Sequence, residues 1–168
     1  EISSIEKTFE DGEISYEVEM TTKAGAERFF VLTAEGELDS EQVTLEETPA
    51  AVRKTIETQV GAAQIGEIVR NFDEDGVTYE VVRVFPGGSR SFVVAVSGRL
   101  ERIEVLLPEV TTDAQKVIIA QIGDGKLIGI DKVFGKKKQF TYEIEARKGG
   151  KPVSFNVGPK GVFLGMND

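Results

Sequence analysis

The chain has 168 residues, 40% of them apolar, which is enough for one domain or two small ones with a real core. It contains no histidine and no cysteine, so thiol chemistry, disulfides, Cys/His zinc sites and a serine–histidine triad are excluded. The net charge of −9 argues against nucleic acid as a partner, because phosphate binding needs clustered lysine and arginine. No apolar run approaches the roughly 18 residues that a transmembrane helix needs, so we expect no membrane insertion.

All three tyrosines of the chain lie on one period. Tyr16, Tyr79 and Tyr142 follow one another at intervals of 63 positions, and apolar residues and glycines around them recur at the same offsets or one position away. Self-similarity of this kind is typical of repeated folding units, in which each tyrosine would pack in the core. A ligand-stacking role for the tyrosines is the alternative. The corresponding sets include Ile5, Ile68 and Ile130; Phe30, Phe92 and Phe155; and Gly36, Gly98 and Gly161.

The first unit is predicted to have four strands and no helix. Its turns are "EDG", "KAGAE" and "AEG", with glycine where the backbone needs a positive φ. Without a helix, one apolar face of these strands would stay in water, which is costly. We expect an upstream helix, a neighbouring unit or a second chain to cover it, and a start at Glu1 rather than methionine suggests a processed product. The residues of that face include Ile2, Ile14, Tyr16 and Val18.

Each later unit begins with a helical pattern. In the second unit Thr48 is the predicted N-cap, Pro49 the first helical residue and Gly61 the stop. In the third unit Thr111 or Thr112 is the predicted N-cap, and a glycine again ends the helix. The residues predicted to face the sheet are four apart: Val52, Ile56 and Val60, then Ala114, Ile118 and Ile122.

Four strands are predicted again after each helix. "DEDG" (Asp73–Gly76) is a hairpin turn, and "GKKKQ" (Gly135–Gln139) takes its place in the third unit, with solvated lysines at positions 136–138. The predicted fold is therefore α+β, made of tandem α-β-β-β-β units with an antiparallel sheet and helices on one face. The predicted domains are 1–47, a unit without its helix, then 48–108 and 109–168.

The second unit carries a family resemblance. The segment "TPAAVRKTIETQVGAAQIGEIVRNFDEDGVTYEVVRVF" resembles the PepSY-like repeat, with its short P-x-x-V helix, glycine-bounded loop and D-G-x-x-Y-E-V hairpin. The unit is also similar to that of the β-lactamase inhibitory protein (BLIP) family, in which two tandem units form one curved sheet. The third unit departs from the pattern at its turn, and the first by lacking a helix. The resemblance implies a non-enzymatic module of the bacterial cell envelope, periplasmic or secreted, that binds or restrains peptidases or other envelope proteins.

The sheet face opposite the tyrosines is the predicted partner-binding surface. By alternation, apolar side chains of the first two units point there, and such patches commonly mark partner sites. The alternative is that neighbouring units or an oligomer bury them. Arg90 and Arg99 are candidates for the rim, with Arg83, although strict alternation puts Arg83 on the other face. The predicted partner-binding residues are Phe29, Val31, Val82, Val84 and Val93.

Three other patterns fit their functions poorly. "NFDEDG" (Asn71–Gly76) mimics the start of a calcium loop, but its twelfth position would be Val82 and its context is a hairpin. "GDGKLIG" (Gly123–Gly129) follows a helix, whereas a phosphate-binding loop leads from a strand into one. Acidic pairs such as Glu17 and Glu19 are plentiful, but no cleft is predicted around them, so a hydrolase is the weakest hypothesis. We expect no catalytic residue, no metal site and no cofactor.

The charge is uneven along the chain. Residues 1–48 carry 14 acids and three bases, a balance of −11, whereas residues 110–168 carry six acids and ten bases, a balance of +4. This difference reflects either solubility of similar units or steering of a partner, including head-to-tail association. The leading hypothesis is a non-enzymatic protein- or peptide-binding module, inhibitor-like in character. The alternative is an architectural, self-assembling module of a larger envelope protein, which would form a homo-oligomer.

Overall fold

A computed structural model of the chain describes residues 1–10, 12–135 and 139–167. The chain separates into two compact units. We call Glu1–Arg99 the first unit and Leu100–Asp168 the second unit, in place of the numbering of the three predicted units. Each unit contains antiparallel strands and one α-helix, so the predicted α+β class is confirmed. The predicted lysine tip at positions 136–138 lies outside the described residues.

The first unit has seven strands among its described residues, and each is antiparallel to the next. A 3₁₀ turn, Leu45–Glu47, and the helix stand between the fourth and fifth strands. The elements are β1 (Ile2–Glu10), β2 (Glu13–Thr21), β3 (Glu27–Thr33), β4 (Leu38–Gln42), α1 (Ala50–Val60), β5 (Gln64–Asp73), β6 (Gly76–Phe85) and β7 (Gly88–Ala95).

The second unit has five strands among its described residues, again antiparallel in sequence order. A second 3₁₀ turn, Leu107–Glu109, precedes its helix, so the order of turn, helix and four strands occurs twice in the chain. The elements are β8 (Leu100–Glu104), α2 (Thr112–Ile122), β9 (Lys126–Phe134), β10 (Phe140–Lys148), β11 (Lys151–Val157) and β12 (Phe163–Met166).

The helices end as predicted, but α1 begins later. The N-cap of α1 is Pro49 rather than Thr48, because the Thr48 hydroxyl is already used: it donates to the Leu45 carbonyl at 2.7 Å and closes the 3₁₀ turn. The N-cap of α2 is Thr111, one of the two residues predicted. Both helices stop at a glycine with positive φ, Gly61 at 57° and Gly123 at 61°.

A carboxylate fastens the 3₁₀ turn before each helix. Glu47 accepts the backbone N–H of Thr44 at 2.7 Å, and Glu109 accepts that of Leu106 at 2.7 Å. Arg28 of β3 also donates to Glu47 at 3.0 Å. The hydrogen bond from Arg28 and the backbone bond from Thr44 lower the pKa of Glu47 to about 2. The turn that leads into α1 is thus tied to β3 by a charged contact.

Each helix covers the tyrosine side of strands in its own unit. The three predicted residues of α1 are at most 9% exposed, and those of α2 at most 7%. Under α1 lie β6 and β7, with Tyr79 only 2% exposed, and under α2 lie β10 and β11, with Tyr142 also 2% exposed. The Tyr142 hydroxyl accepts the backbone N–H of Thr111 at 3.3 Å. These two tyrosines are core residues, as predicted.

Candidate functional site

The five predicted partner-binding residues lie on the helix-free face of the first unit's sheet. Directly opposed residues of neighbouring strands share a face, and successive pairs connect Val31 of β3 through β4 and β5 to Thr78 of β6. Alternation along β6 then places Val82 and Val84 on that face, and Val93 of β7 lies opposite Glu80. Phe29 follows from Val31 by alternation.

These five residues form two groups rather than one patch. The β3 group is Phe29 and Val31; the valine group, on β6 and β7, is Val82, Val84 and Val93. Strands β4 and β5 lie between them, which corresponds to a separation of about 14 Å. Polar Ser40 and Asn71 lie in the intervening strands. Val84 is 38% exposed, whereas the other four side chains are half-buried, so each group is a small surface.

Two of the three candidate rim arginines lie on the opposite, helix side of the sheet. Arg83 is 8% exposed and directs a guanidinium nitrogen at the carbonyl of Gln59, near the end of α1, at 3.4 Å. Arg90 lies opposite Arg83 in the β6–β7 register and stacks over the Phe85 ring at 4.6 Å. Arg83 and Arg90 therefore lie where strict alternation along the strands places them, and they do not contribute to the rim of the predicted partner-binding surface. Arg99 is exposed in the loop that follows β7.

A second apolar surface lies on the tyrosine side of β1, β2 and β3, where the described residues place no α-helix. Ile2 is 60% exposed and Ile5 is 62% exposed, as the missing helix predicts. Val18 is only 4% exposed, contrary to the expectation, because Ile5 and Phe30 lie directly opposite it on the neighbouring strands. We call this surface the uncovered face. Its residues are Ile2, Ile5, Ile14, Tyr16, Val18, Met20, Phe30 and Leu32.

The outer edge of the uncovered face carries a lysine against aromatic rings. The Lys7 ammonium lies 4.8 Å from the centroid of Phe9 and 5.8 Å from that of Tyr16. Arg70 occupies the corresponding place on β5, 5.3 Å from Phe72, but it also pairs with Glu41 of the adjacent strand. That carboxylate raises the pKa of Arg70. Since β1 pairs only with β2 in the described part of the chain, its outer edge is open.

The helix-free face of the second unit is acidic instead of apolar. Glu104, Asp131 and Glu143 lie opposite one another on β8, β9 and β10. Arg102 spans the row, 3.9 Å from Asp131 and 3.8 Å from Glu143. Burial, opposed by the Arg102 charge and reinforced by the neighbouring carboxylates, raises the pKa of Asp131. The described residues contain no group of three or more metal-binding side chains placed to hold an ion.

None of the helices in the described ranges is long and apolar enough to cross a membrane. This agrees with the absence of a long apolar run in the sequence.

Several solved structures with a similar fold come from Bacteroides. A proposed periplasmic protein from B. eggerthii matches with a TM-score of 0.52 and 17% identity over 71% of this chain and 88% of its own. A DUF2874 family protein from B. ovatus matches with a TM-score of 0.51 and 15% identity over 71% of this chain and 86% of its own. A BLIP-like protein from B. fragilis matches with a TM-score of 0.50 and 11% identity over 72% of this chain and 86% of its own. No protein-family model and no curated protein matches the sequence.

At these identities the likeness defines the fold alone. The chain has a BLIP-like α+β fold, in agreement with that part of the resemblance. The description of a neighbour as periplasmic also agrees with the predicted envelope localisation. The PepSY-like assignment and the tandem-unit interpretation remain predictions.

Proposed function

We propose that the chain is a non-enzymatic protein- or peptide-binding module of the bacterial cell envelope, periplasmic or secreted. The observation that carries this proposal is the apolar surface left exposed on the first unit, where Ile2 and Ile5 are more than half exposed in a folded sheet. Exposed apolar side chains that adjoin one another on a regular element are typical of partner sites. The BLIP-like fold supports the proposal as an analogy, since a fold hosts many functions.

Recognition through the helix-free face is part of the same proposal. The valine group is the better candidate of the two groups there, because its members lie on adjacent strands and include the well-exposed Val84. Gly66 of β5 supports a flat surface beside it: a Cβ at Gly66 would lie 2.9 Å from a methyl of Val84. An inhibitor-like mode would press this surface against a folded partner.

The tandem-unit and PepSY-like interpretations belong to this proposal as well. Their support is the repeated order of 3₁₀ turn, helix and four strands, together with the equivalent burial of Tyr79 and Tyr142. We propose three such units, the first without a helix. The non-enzymatic character is proposed from the sequence, which lacks the histidine and cysteine that most acid–base and nucleophilic sites use.

A capture experiment tests the binding function. The 168-residue chain, immobilised, is exposed to an envelope extract of its source, in parallel with Val82→Glu/Val93→Glu and with Ile5→Asp. A defined partner retained by the parent and lost by one variant establishes binding and identifies the surface. Equal capture by all three chains, or no capture, contradicts the proposal.

A second candidate function is self-assembly, and the charge distribution favours it. In the described residues β1 pairs only with β2, and β12 only with β11, so each unit has an open outer strand. The first 48 residues are strongly acidic, whereas the last 59 are basic. Head-to-tail pairing of β12 with β1 of another copy would pair the two open strands and bring the basic end of one copy against the acidic end of the next. Light scattering over a range of concentration and salt tests this: a mass that stays that of one chain throughout eliminates it.

A further inference from the structure

We propose that the uncovered face is a docking site for an amphipathic α-helix of about 11 residues presented by a partner polypeptide. The inference rests on the proposed binding function and names the kind of partner. Its basis is an internal comparison, because the same chain contains two equivalent faces that are already covered by helices. Three features that a helix contacts on one or both of those faces have a counterpart on the uncovered face.

The first feature is burial of equivalent isoleucines. Ile68 of β5 is 3% exposed and Ile130 of β9 is 2% exposed. Ile130 belongs to the core formed with Ile118 and Ile122 of α2. Ile5, at the same repeat position, is 62% exposed. The position thus remains apolar where no helix covers it.

The second feature is a glycine that the helix touches. A Cβ added at Gly98 would lie 2.7 Å from the carbonyl oxygen of Ala51, in the first turn of α1. At Gly161 it would lie 2.7 Å from the carbonyl oxygen of Asp113, in the first turn of α2. At the equivalent Gly36, no atom of the described residues lies within 4 Å of such a Cβ. The first predicted unit, residues 1–47, therefore has space near Gly36 in which the first turn of a helix would sit.

The third feature is the tyrosine hydroxyl. In the second unit the Tyr142 hydroxyl accepts the N–H of Thr111, the N-cap of α2, at 3.3 Å. The Tyr16 hydroxyl makes no hydrogen bond with any described residue, although its ring contacts Lys7. We expect it to accept a backbone N–H at the start of the docked helix, which would fix the helix direction and place its first turn over Gly36.

The size of the uncovered face suits a helix better than a second globular copy. Three strands and about eight residues of each give a surface of about 15 by 25 Å, or on the order of 400 Å². A standard protein–protein interface uses about 800 Å² per partner. A helix of 11 residues is about 16 Å long and about 10 Å wide, and it fits within the smaller area.

The partner helix can be specified further. The internal helices contact their sheets with small or branched apolar residues at i, i+4 and i+8, and the partner should do the same. Arg83 and Lys148 donate to carbonyls at the ends of α1 and α2, at 3.4 and 3.3 Å. The equivalent positions beside the uncovered face carry Met20 and Thr22. The partner helix must therefore supply its own C-cap. Basic residues on its solvent side would complement the −11 balance of residues 1–48.

The chain supplies a probe for this site. A synthetic peptide with the sequence of residues 110–123, held helical by a lactam bridge on its solvent side, presents the required apolar spacing. Binding to the ¹⁵N-labelled 168-residue chain is followed by amide shifts and by anisotropy of a labelled peptide. We expect shifts concentrated at Ile5, Val18, Phe30 and Gly36. A peptide carrying Asp in place of its central isoleucine, Ile118, is the ligand control.

Variants of the chain make the test specific. Ile5→Asp should lower the affinity for the peptide about tenfold, because it places a charge under the docked helix. Ile5 is exposed in the free chain, so we expect the fold to tolerate the change. Val96→Asp, at a valine that is 49% exposed outside the uncovered face, should bind like the parent. Tyr16→Phe should weaken binding by about threefold. Shifts elsewhere, equal affinity for the control peptide, or parental affinity of Ile5→Asp would overturn the proposal.

Failure of the helix site and failure of the binding function give different results. If an extract partner is lost by Val82→Glu/Val93→Glu but kept by Ile5→Asp, and the peptide does not bind, the binding function stands and the helix site is wrong. Concentration-dependent shifts of the uncovered face without peptide, abolished by Ile5→Asp, would mean that a second copy covers it, which also overturns the helix proposal.

Discussion

Replacing Gly98 with alanine is expected to destabilise the first unit more than the same change at Gly36. The two glycines have nearly the same backbone, with φ of 83° and 85°. An alanine in this left-handed region costs about 1 to 2 kcal/mol at either position. At Gly98 the new Cβ would also lie 2.7 Å from the Ala51 carbonyl oxygen, whereas at Gly36 it would meet no atom within 4 Å in the part of the chain that the structure describes. Since α1 must shift to relieve that contact, Gly98→Ala should cost a further 1 to 3 kcal/mol, roughly.

Urea denaturation followed by far-ultraviolet circular dichroism measures the difference directly. Both glycines lie in Glu1–Arg99, so the comparison concerns one compact unit. Gly98→Ala should also lower Tm by about 4 to 8 °C more than Gly36→Ala for each additional kcal/mol. Gly161→Ala is the replicate in the second unit, because its Cβ would meet the Asp113 carbonyl oxygen at 2.7 Å. Equal losses at Gly36 and Gly98 would refute the reasoning that close approach of a helix, beyond backbone conformation, requires glycine there.

Three further substitutions test individual contacts. Tyr142→Phe should lower the free energy of unfolding, measured by urea denaturation, by about 1 kcal/mol, because the Thr111 N–H loses its acceptor. Tyr16→Phe should leave the stability of the isolated chain nearly unchanged, and equal losses in the two variants would contradict this. Asp131→Asn should raise Tm at pH 7, because burial and the adjacent carboxylates raise the pKa of Asp131 and disfavour its charged form. The gain in Tm should vanish at a pH low enough to protonate the carboxyl in both the folded and the unfolded chain. A lower Tm of the variant at pH 7 would refute this reasoning. Glu47→Gln should lower Tm modestly at pH 7, because the charged contact with Arg28 is lost. The difference in Tm should disappear as the pH falls from the unfolded pKa of about 4.3 through the folded pKa of about 2. A difference that persists at about pH 1.5 would rule out the charged contact as its cause.

Much of the local structure could be predicted from the sequence. The apolar spacing of Val52, Ile56 and Val60 identified the buried face of α1, and the recurring glycines identified the turns and helix ends. The helix start could not be placed as well. Thr48 is a favourable N-cap by type, but its hydroxyl bonds to the Leu45 carbonyl of a 3₁₀ turn that the sequence pattern did not indicate.

The candidate site was predicted in part. Alternation placed Phe29, Val31 and the valine group on one face, as observed, but it could not show that two strands separate the groups. The period of the tyrosines also indicated that residues 1–47 form a unit whose apolar face lacks a helix. That pattern did not reveal that Val18 is buried by its strand neighbours while Ile5 is exposed, since burial depends on strand pairing as well as on the missing helix.

The sequence by itself determined the α+β class, the two helices and the alternation of the strands, because these follow from apolar periods of 3.6 and 2 and from turn glycines acting over a few residues. Only the tertiary structure decided which of the equivalent positions are covered. Ile5, Ile68 and Ile130 are identical residues at one repeat position, yet they differ from 62% to 2% in exposure. The physical reason is that burial is a property of the partner that packs on a side chain, and that partner is a helix or strand distant in the chain.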